Sequence, residues 1–416
     1  MYKEILVNNR AEDIRVAVLE DGVTAEIYLE PRQSRRLVGN IYKGRVENVL
    51  PGMQAAFVNI GLEKNAFLYI EDALPARYAD ENGGRRDYSG IYIGDVLKRD
   101  QELLVQVAKE HAGVKGPRVT THITLPGRYA VLMPRTDYVG VSRRISAEKE
   151  RERLRALAKL VKPQEMGVIV RTVAEGVAQD EFSQDIDIIS ELWQKTLRRS
   201  AKSPAPFLAH RDLDLVQRVM RDTFTEDVDR LLVDSPCDYE KVLDLLDIIG
   251  PHLKDKVYLE DQKDLFAYYG VDHELERALR KKVWLKSGGY LVIDQAEALT
   301  VIDVNTGKYV GTTNLEDTVR KTNLEAAKEI VRHLRLRNLG GIIIVDFIDM
   351  QNEDSRTAVL QLLEEEIKKD RTKTNIFGLT RLGLVEMTRK KTRPSLSEIL
   401  QKPCSHCGGR GRVLIK

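Results

Sequence analysis

Residues 297–307, EALTVIDVNTG, and residues 334–350, LRLRNLGGIIIVDFIDM, decide how this chain folds. Each contains an apolar, β-branched run that stops at a carboxylate, Asp303 in the first and Asp346 in the second. Between the runs lies NLEDTVRKTNLEAAKEIVRHLRLRN, long enough for a helix and closed by Gly340-Gly341, the expected C-terminal stop. Strand, helix, strand implies two parallel neighbours joined by a crossover, with the strand tips facing the crevice where α/β sheets bind ligands. Asn305 follows Asp303 by two residues, so both side chains belong to one face of a continuing strand.

Two carboxylates and an amide oxygen are hard ligands that suit Mg²⁺, which keeps several waters and completes its shell from a substrate phosphate. A cation also removes the repulsion that two close carboxylates would otherwise suffer. The plainer alternative is that either Asp merely caps a loop or helix. Asp349 and Glu297 are also near in sequence, and exposed or supporting roles are expected for them.

Working outward, GGYLVIDQ before Asp303 reads as a partner strand, and SRTAVLQLLEEEIKKD after Asp346 reads as a second helix. Residues 285–400 therefore form a mixed α/β domain. The chain starts with short strands, KEILVNN, DIRVAVLE and VTAEIYLEP, and Asp21-Gly22 between the last two is a hairpin signal. Residues 36 to about 116 hold alternating strands broken by Pro-Gly and Gly-rich turns, as in a small β-barrel. RYADENGGRRDYSG within it reads as a flexible loop. Tyr42, Phe57, Phe67 and Tyr69 are interleaved there with Lys43, Arg45 and Lys64, and Lys109 follows. Aromatic faces stack on unpaired bases while cations track a phosphate backbone, although barrel core is the other reading of the phenylalanines. AEKERERLRALAKLV reads as an amphipathic helix and MGVIVRTV as a strand ending in Arg171-Thr172, a fork and a hydroxyl able to grip a phosphate or simply a surface pair. AKSPAPF is a candidate linker, with helix expected from about Asp212 to Val233 and around Glu274 to Trp284.

The chain has 416 residues, with 42% hydrophobic and 31% charged, enough for several globular domains. No apolar run approaches the roughly 20 residues that span a bilayer, and the N-terminus lacks a signal-peptide layout, so a cytoplasmic protein is expected. The net charge is +2, but Arg371–Lys416 holds 11 Lys/Arg against 2 Asp/Glu. That basic end suggests a polyanion partner, or else a solvated face. Cys404 and Cys407 in KPCSHCGGRG have the spacing of half a zinc knuckle. A second chain's pair is the simplest completion, with a redox pair or a metal-free turn as the alternatives.

NIYKGRVENVLPGMQAAFVNIG, SRRI, VIVRT, LTVIDVNTG, LRLRNLGGIIIVDFIDM, GLVEMTRK and PCSHCGGRG together resemble the RNase E/RNase G family of bacterial endoribonucleases over nearly the whole chain. The resemblance implies a multidomain α/β and β-barrel architecture. Residues 1–35 and 215–279 would form an RNase H-like subdomain, 36–117 an inserted OB-fold RNA-binding domain, and 118–214 a 5′-sensor domain. Residues 280–399 would form a DNase I-like catalytic domain and 400–416 a zinc-link. It implies that Asp303 and Asp346 bind catalytic Mg²⁺ with Asn305 orienting the site. Arg171 and Thr172, helped by the backbone at Gly127 and Val131, would bind a 5′-monophosphate. Phe57, Phe67 and Lys109 would contact RNA, and Cys404 and Cys407 would share a structural Zn²⁺ between subunits. Lys43, Arg389 and Lys390 are further candidate RNA contacts by charge.

The expected activity is Mg²⁺-dependent hydrolysis of single-stranded RNA, favouring 5′-monophosphorylated ends, in rRNA and tRNA maturation and mRNA decay. A non-catalytic RNA-binding or scaffold protein is the alternative, and a DNA nuclease a third. Family members continue into a small dimer-forming domain, whereas this chain ends nine residues after Cys407. A zinc-linked homodimer rather than a tetramer is expected, in a chain closer to the RNase G branch or to a catalytic fragment.

Overall fold

The computed structural model describes residues 1–32, 36–74, 90–110, 116–261, 264–307, 315–409, 411 and 413. Most of the RYADENGGRRDYSG loop lies outside them. The chain divides into two compact units, one made of 1–32, 226–243 and 254–416, the other of 33–225 and 244–253.

In the first unit, strands Lys3–Asn9, Asp13–Glu20 and Val23–Pro31 pair antiparallel in sequence order. Asp21 and Gly22 both take positive φ, the turn that matches strand twist and that the Asp-Gly pair predicts. Arg230–Val233 adds parallel to Lys3–Asn9, and Val257–Leu259 parallel to that. The helix expected up to Val233 is thus a correction: it spans Leu215–Thr223, and the RLLV that follows is a strand. A four-residue stretch with three apolar side chains cannot be told from a helix turn by periodicity, and burial between two neighbouring strands decides. The same holds after Val271–Ala278, where Lys282–Trp284 leaves the helical pattern to become a sheet edge.

The second sheet of this unit has six strands: Lys282–Trp284, Tyr290–Gln295, Leu299–Asn305, Gly341–Asp346, Val385–Arg389 and Thr374–Leu379, in that spatial order. Leu299–Asn305 and Gly341–Asp346 are parallel, as a helical crossover demands. That crossover, Leu315–Leu336, buries Val319, Ala326, Ala327, Ile330, Val331 and Leu334, one helical stripe, against Ile302, Val304, Ile343 and Val345. Glu353–Ile367 covers the same side through Val359 and Leu363. On the opposite side, Val301 and Ile342 are 39% and 50% exposed, so that sheet face is open.

In the other unit, Ile41–Leu50, Ala55–Asn59, Ala66–Tyr69, Arg118–Thr120 and Glu102–Lys109 close a five-stranded barrel, because Ile41–Leu50 pairs with both Ala55–Asn59 and Glu102–Lys109. Phe207–His210, at the end of the expected linker, adds to Ile41–Leu50. The domain boundary expected between 117 and 118 is a correction: Arg118–Thr120 pairs with Ala66–Tyr69 and Glu102–Lys109 and so belongs to the barrel. Beside the barrel, Leu125–Pro126, Ala130–Met133, Gly167–Val170 and Val139–Val141 form a sheet covered by helices Glu148–Val161 and Gln179–Ala201. No helix among the described residues is long and apolar enough to cross a membrane.

One ion-pair fork ties the crossover helix to the N-terminal strands. Arg335, 6% exposed, donates to Glu20 at 2.6 and 3.0 Å and to Glu26 at 3.1 and 3.0 Å. Burial pushes the Glu26 carboxyl up, but Arg335, the Tyr28 hydroxyl and Arg393 outweigh it and hold the pKa at about 2 rather than 4.5. A depressed carboxylate contributes stability that is fully present above its unfolded value and is lost as the pH falls towards its folded one. Glu26→Gln should lower stability at pH 7 by on the order of 3 kcal/mol, with the gap to wild type closing between pH 4.5 and 2. Urea unfolding at a series of pH values checks this, and a gap that stays constant with pH rules it out.

Candidate active site

Parallel pairing sets Asp303 directly beside Asp346. Neighbouring strands lie about 4.8 Å apart and paired residues project to the same face, so the two carboxylates stand side by side. They stand on the open face, Asp346 exposed and Asp303 half-buried. Asn305 shares that face and its Nδ2 donates to Asp303 Oδ2 at 2.7 Å. The amide thus orients Asp303, and its oxygen remains the ligand-type atom. Burial pushes the Asp346 carboxyl up, and the charges of Asp303 and exposed Asp349 push it further. This is the uncompensated repulsion that a cation would relieve. Glu297 lies in the turn before Leu299, away from Asp303 at the other end of the strand. Gly307, with φ +59°, leaves no room for a side chain: a Cβ there would sit 2.5 Å from the Gly288 carbonyl.

Two carboxylates and an amide fit Mg²⁺ better than zinc, because the set is all oxygen and leaves most positions for water and phosphate. Among the described residues no group of three or more His, Cys, Asp or Glu is placed to hold a metal.

The basic candidates nearby divide. Arg389 is a correction. It is 4% exposed, and its five N–H donors go to Asp370 (2.7 and 3.2 Å), Asn338 Oδ1, the Leu339 carbonyl and Thr372. Nothing is left for a phosphate, and the residue locks the end of its strand to the loop after Glu353–Ile367. Its neighbour Lys390 is exposed, because alternate residues of a strand face opposite ways.

On the barrel, one row across four strands reads Phe57, Phe67, Arg118, Lys109. Phe57 and Phe67 meet edge to face at 5.4 Å, and Tyr69 packs on Phe67 at 4.5 Å. The phenylalanines are half-buried on the outer surface and lie outside the barrel core, which instead takes Tyr42, 6% exposed. Exposed Lys109 lies at the end of the row. Arg118, not singled out by sequence, lies 4.8 Å over the Tyr69 ring and pairs with Asp72 at 2.6 Å. Only a parallel pairing 51 positions away brings it there, and no local signal marks it. Lys43 is a second correction: its ammonium is tied to Glu102 at 2.8 Å and to the Ser203 carbonyl at 3.0 Å. It fastens barrel strands rather than offering a free cation, and with Arg45 it holds the Glu102 carboxyl at about 2.

Arg171, Thr172, Gly127 and Val131 come together on the flanking sheet. Arg171 donates to the Gly127 carbonyl at 2.5 Å and to Asp222 at 2.6 Å. Val131 pairs with Ile169, two residues before Arg171 and on its side of the sheet. Exposed Thr172 bonds Ser142 Oγ at 2.9 Å. Two supports have no sequence signal. Asp222 is pushed up by burial, but Arg221 and Arg171 hold it below the usual carboxylate range. Asp185 accepts from the backbone N–H groups of Arg128, Tyr129 and Ala130 at 2.8–3.0 Å, and a Cβ on Gly127 would strike it at 2.5 Å. The loop 127–130 is therefore wrapped on one buried carboxylate, which points its carbonyl at Arg171.

At the C-terminal end, the backbone N–H groups of Cys407 and His406, with the Cys407 side chain, draw the exposed Cys404 thiol below the usual range. Gly411 N–H donates to Cys407 Sγ at 3.3 Å. Positive φ at Gly408 and Gly409 turns the backbone around the sulfurs. The arrangement favours the Cys404 thiolate, the form that binds metal.

The family model described as Ribonuclease E/G family matches residues 124–392. Ribonuclease G of Salmonella typhimurium and that of Escherichia coli K12 are each 46% identical over 414 residues, 99% of this chain and 85% of those proteins. Ribonuclease E of a Synechocystis species is 42% identical over 382 residues, 91% of this chain and 56% of that protein.

Proposed function

The chain belongs to the ribonuclease E/G family, and from there we propose that it is an endoribonuclease that hydrolyses single-stranded RNA with Mg²⁺ held by Asp303 and Asp346, acting in RNA processing and mRNA decay. The in-register pairing of Asp303 with Asp346 carries this reading, with Asn305 bonded to the first and an open sheet face before both. When bound there, Mg²⁺ supplies Lewis-acid polarisation of the scissile phosphate. Asn305 keeps the Asp303 carboxylate turned towards that position. The open face admits a polymer, where a closed pocket would admit only a small molecule. On the barrel, unpaired bases stack on Phe57 and Phe67 while Lys109 and Arg118 take the adjoining phosphates, so duplexes with stacked bases are disfavoured. Lys390 adds a phosphate contact beside the catalytic sheet.

Arg171 and Thr172 receive a 5′-monophosphate. Asp222 and Gly127 preset the guanidinium, and its remaining N–H donors with the Thr172 hydroxyl grip the anion. Cys404 and Cys407 hold half of a Zn²⁺ site, completed by the same pair from a second copy. Support comes from the backbone donors that favour the Cys404 thiolate.

Asp303→Asn should reduce cleavage of an unpaired oligoribonucleotide about a hundredfold or more, since even outer ligands of a metal matter by 10–100-fold. RNA affinity in the same variant should change little. Retained cleavage, or an equal loss of binding, makes the acidic pair structural. Arg171→Ala should abolish any rate advantage of 5′-monophosphate over 5′-hydroxyl substrates while sparing the latter, and an unchanged ratio excludes the sensor assignment. Native mass and metal analysis should find about one Zn²⁺ per two chains, with chelation giving monomers. A full zinc per chain, or a dimer indifferent to chelation, rejects sharing.

A further inference from the structure

The open sheet face continues past the acidic pair to the edge strand Lys282–Trp284. Its register runs in rows: Lys282, Val292, Asp303 and Asp346 lie across four strands, and Trp284, Tyr290 and Asn305 across three. Trp284 therefore stands on the same face as Asn305, two strand spacings or roughly 10 Å away. Its indole is 51% exposed, unusual for so large an apolar group without a partner. Tyr290 meets it edge to face at 5.3 Å. The Lys282 ammonium lies 4.1 Å from the Trp284 ring centre and 3.5 Å from that of Tyr290, so one charge steadies both rings.

Beside this pair is a small cleft of about 50 Å³, room for a phosphate rather than a base, into which Arg277, Arg280, Lys282 and Arg332 also face, with Glu274 the one acid in its wall. Glu274 is taken by Arg277 at 2.5 Å and Arg332 at 3.3 Å. Arg280 and Lys282 have no carboxylate partner among the described residues. Buried His333 at the back of the cleft is held neutral, first by burial and then by Arg337, Arg332 and Arg277. The wall is thus strongly positive and contains no negative charge that is not already neutralised.

An exposed ring pair next to unpaired cations has the composition of a single-strand nucleotide site: a π-face for any base and charge for the phosphate beside it. We propose that this edge cleft is a nucleotide subsite of the catalytic sheet, in which one base stacks on Trp284 and its flanking phosphate is held by Lys282 and Arg280. The proposal rests on the endoribonuclease reading. Lys282 and Trp284 share the rows of Asp303 and Asn305, so a base stacked on Trp284 lies on the sheet face of the acidic pair and sets where along the strand the scissile bond falls.

The chain has two tryptophans, and the other, Trp193, is 4% exposed, so Trp284 emission reports on the cleft. The Asp303→Asn protein is titrated with an unstructured 5′-hydroxyl oligoribonucleotide, following tryptophan emission and the anisotropy of a labelled strand together. Emission should change in step with binding, and the change should vanish in Trp284→Phe. In the cleavage-competent protein, Trp284→Ala and Arg280→Gln should each raise KM about tenfold with kcat nearly unmoved, the scale of one stacked base or one phosphate contact. Arg280 is exposed, so its variant tests the site even if Trp284→Ala folds poorly. A protein that binds and cuts RNA with Trp284 emission and the Arg280→Gln KM both unchanged overturns the subsite alone. A wild-type protein that neither binds nor cuts RNA sinks the endoribonuclease reading and the subsite with it.

Discussion

Two parallel strands held in register by a helical crossover place Asp303 against Asp346, and the chemistry of the first unit depends on that juxtaposition. Like charges this close are unfavourable in a folded protein unless something offsets them, as the raised Asp346 carboxyl registers. Among the described residues, no basic side chain offsets it at Asp346. Arg389, a buried guanidinium on the sheet, has all its donors committed to Asp370, Asn338, Leu339 and Thr372. The pair is left open to an outside cation, on the one sheet face that the helices do not cover.

The asymmetry of that sheet follows from its sequence. Ile302, Val304, Ile343 and Val345 alternate with Val301, Asp303, Ile344 and Asp346, and only the first set meets Leu315–Leu336 and Glu353–Ile367. A face left bare with Val301, Ile342 and Trp284 in solvent forfeits about 25 cal/mol for each Å² of apolar surface that could have been buried. Such a face is retained where a ligand needs a platform. The barrel follows the same logic: Tyr42 goes to the interior, while Phe57, Phe67 and Tyr69 stay outside with Arg118 and Lys109.

Charge is managed locally rather than through the net +2. Arg335 is balanced by Glu20 and Glu26, Lys43 by Glu102, and Arg171 by Asp222, each pair fixing backbone that positions something else. Lys109 on the barrel and Arg280 and Lys282 at the sheet edge have no carboxylate partner among the described residues, whereas Arg118 and Arg171 are paired with Asp72 and Asp222 through part of their guanidinium donors only. Counting basic residues along the chain cannot separate the two kinds, and for that reason Arg389 and Lys43 were expected in the wrong role.

The strand–helix–strand unit, the Asp21-Gly22 hairpin and the convergence of Asp303, Asn305 and Asp346 were legible from the amino-acid order, because alternation, helix length and Gly stops are local properties and period two fixes which side chains share a face. The short strands Arg230–Val233 and Lys282–Trp284 were not legible, since such brief apolar stretches acquire an identity only from the neighbour they pair with. The same applies to Arg118 beside Phe67, to Asp222 and Asp185 behind Arg171, and to Trp284 in line with Asn305. Each is a meeting of residues far apart in the chain, decided by hydrogen-bond register and burial, which exist only once the tertiary structure has formed.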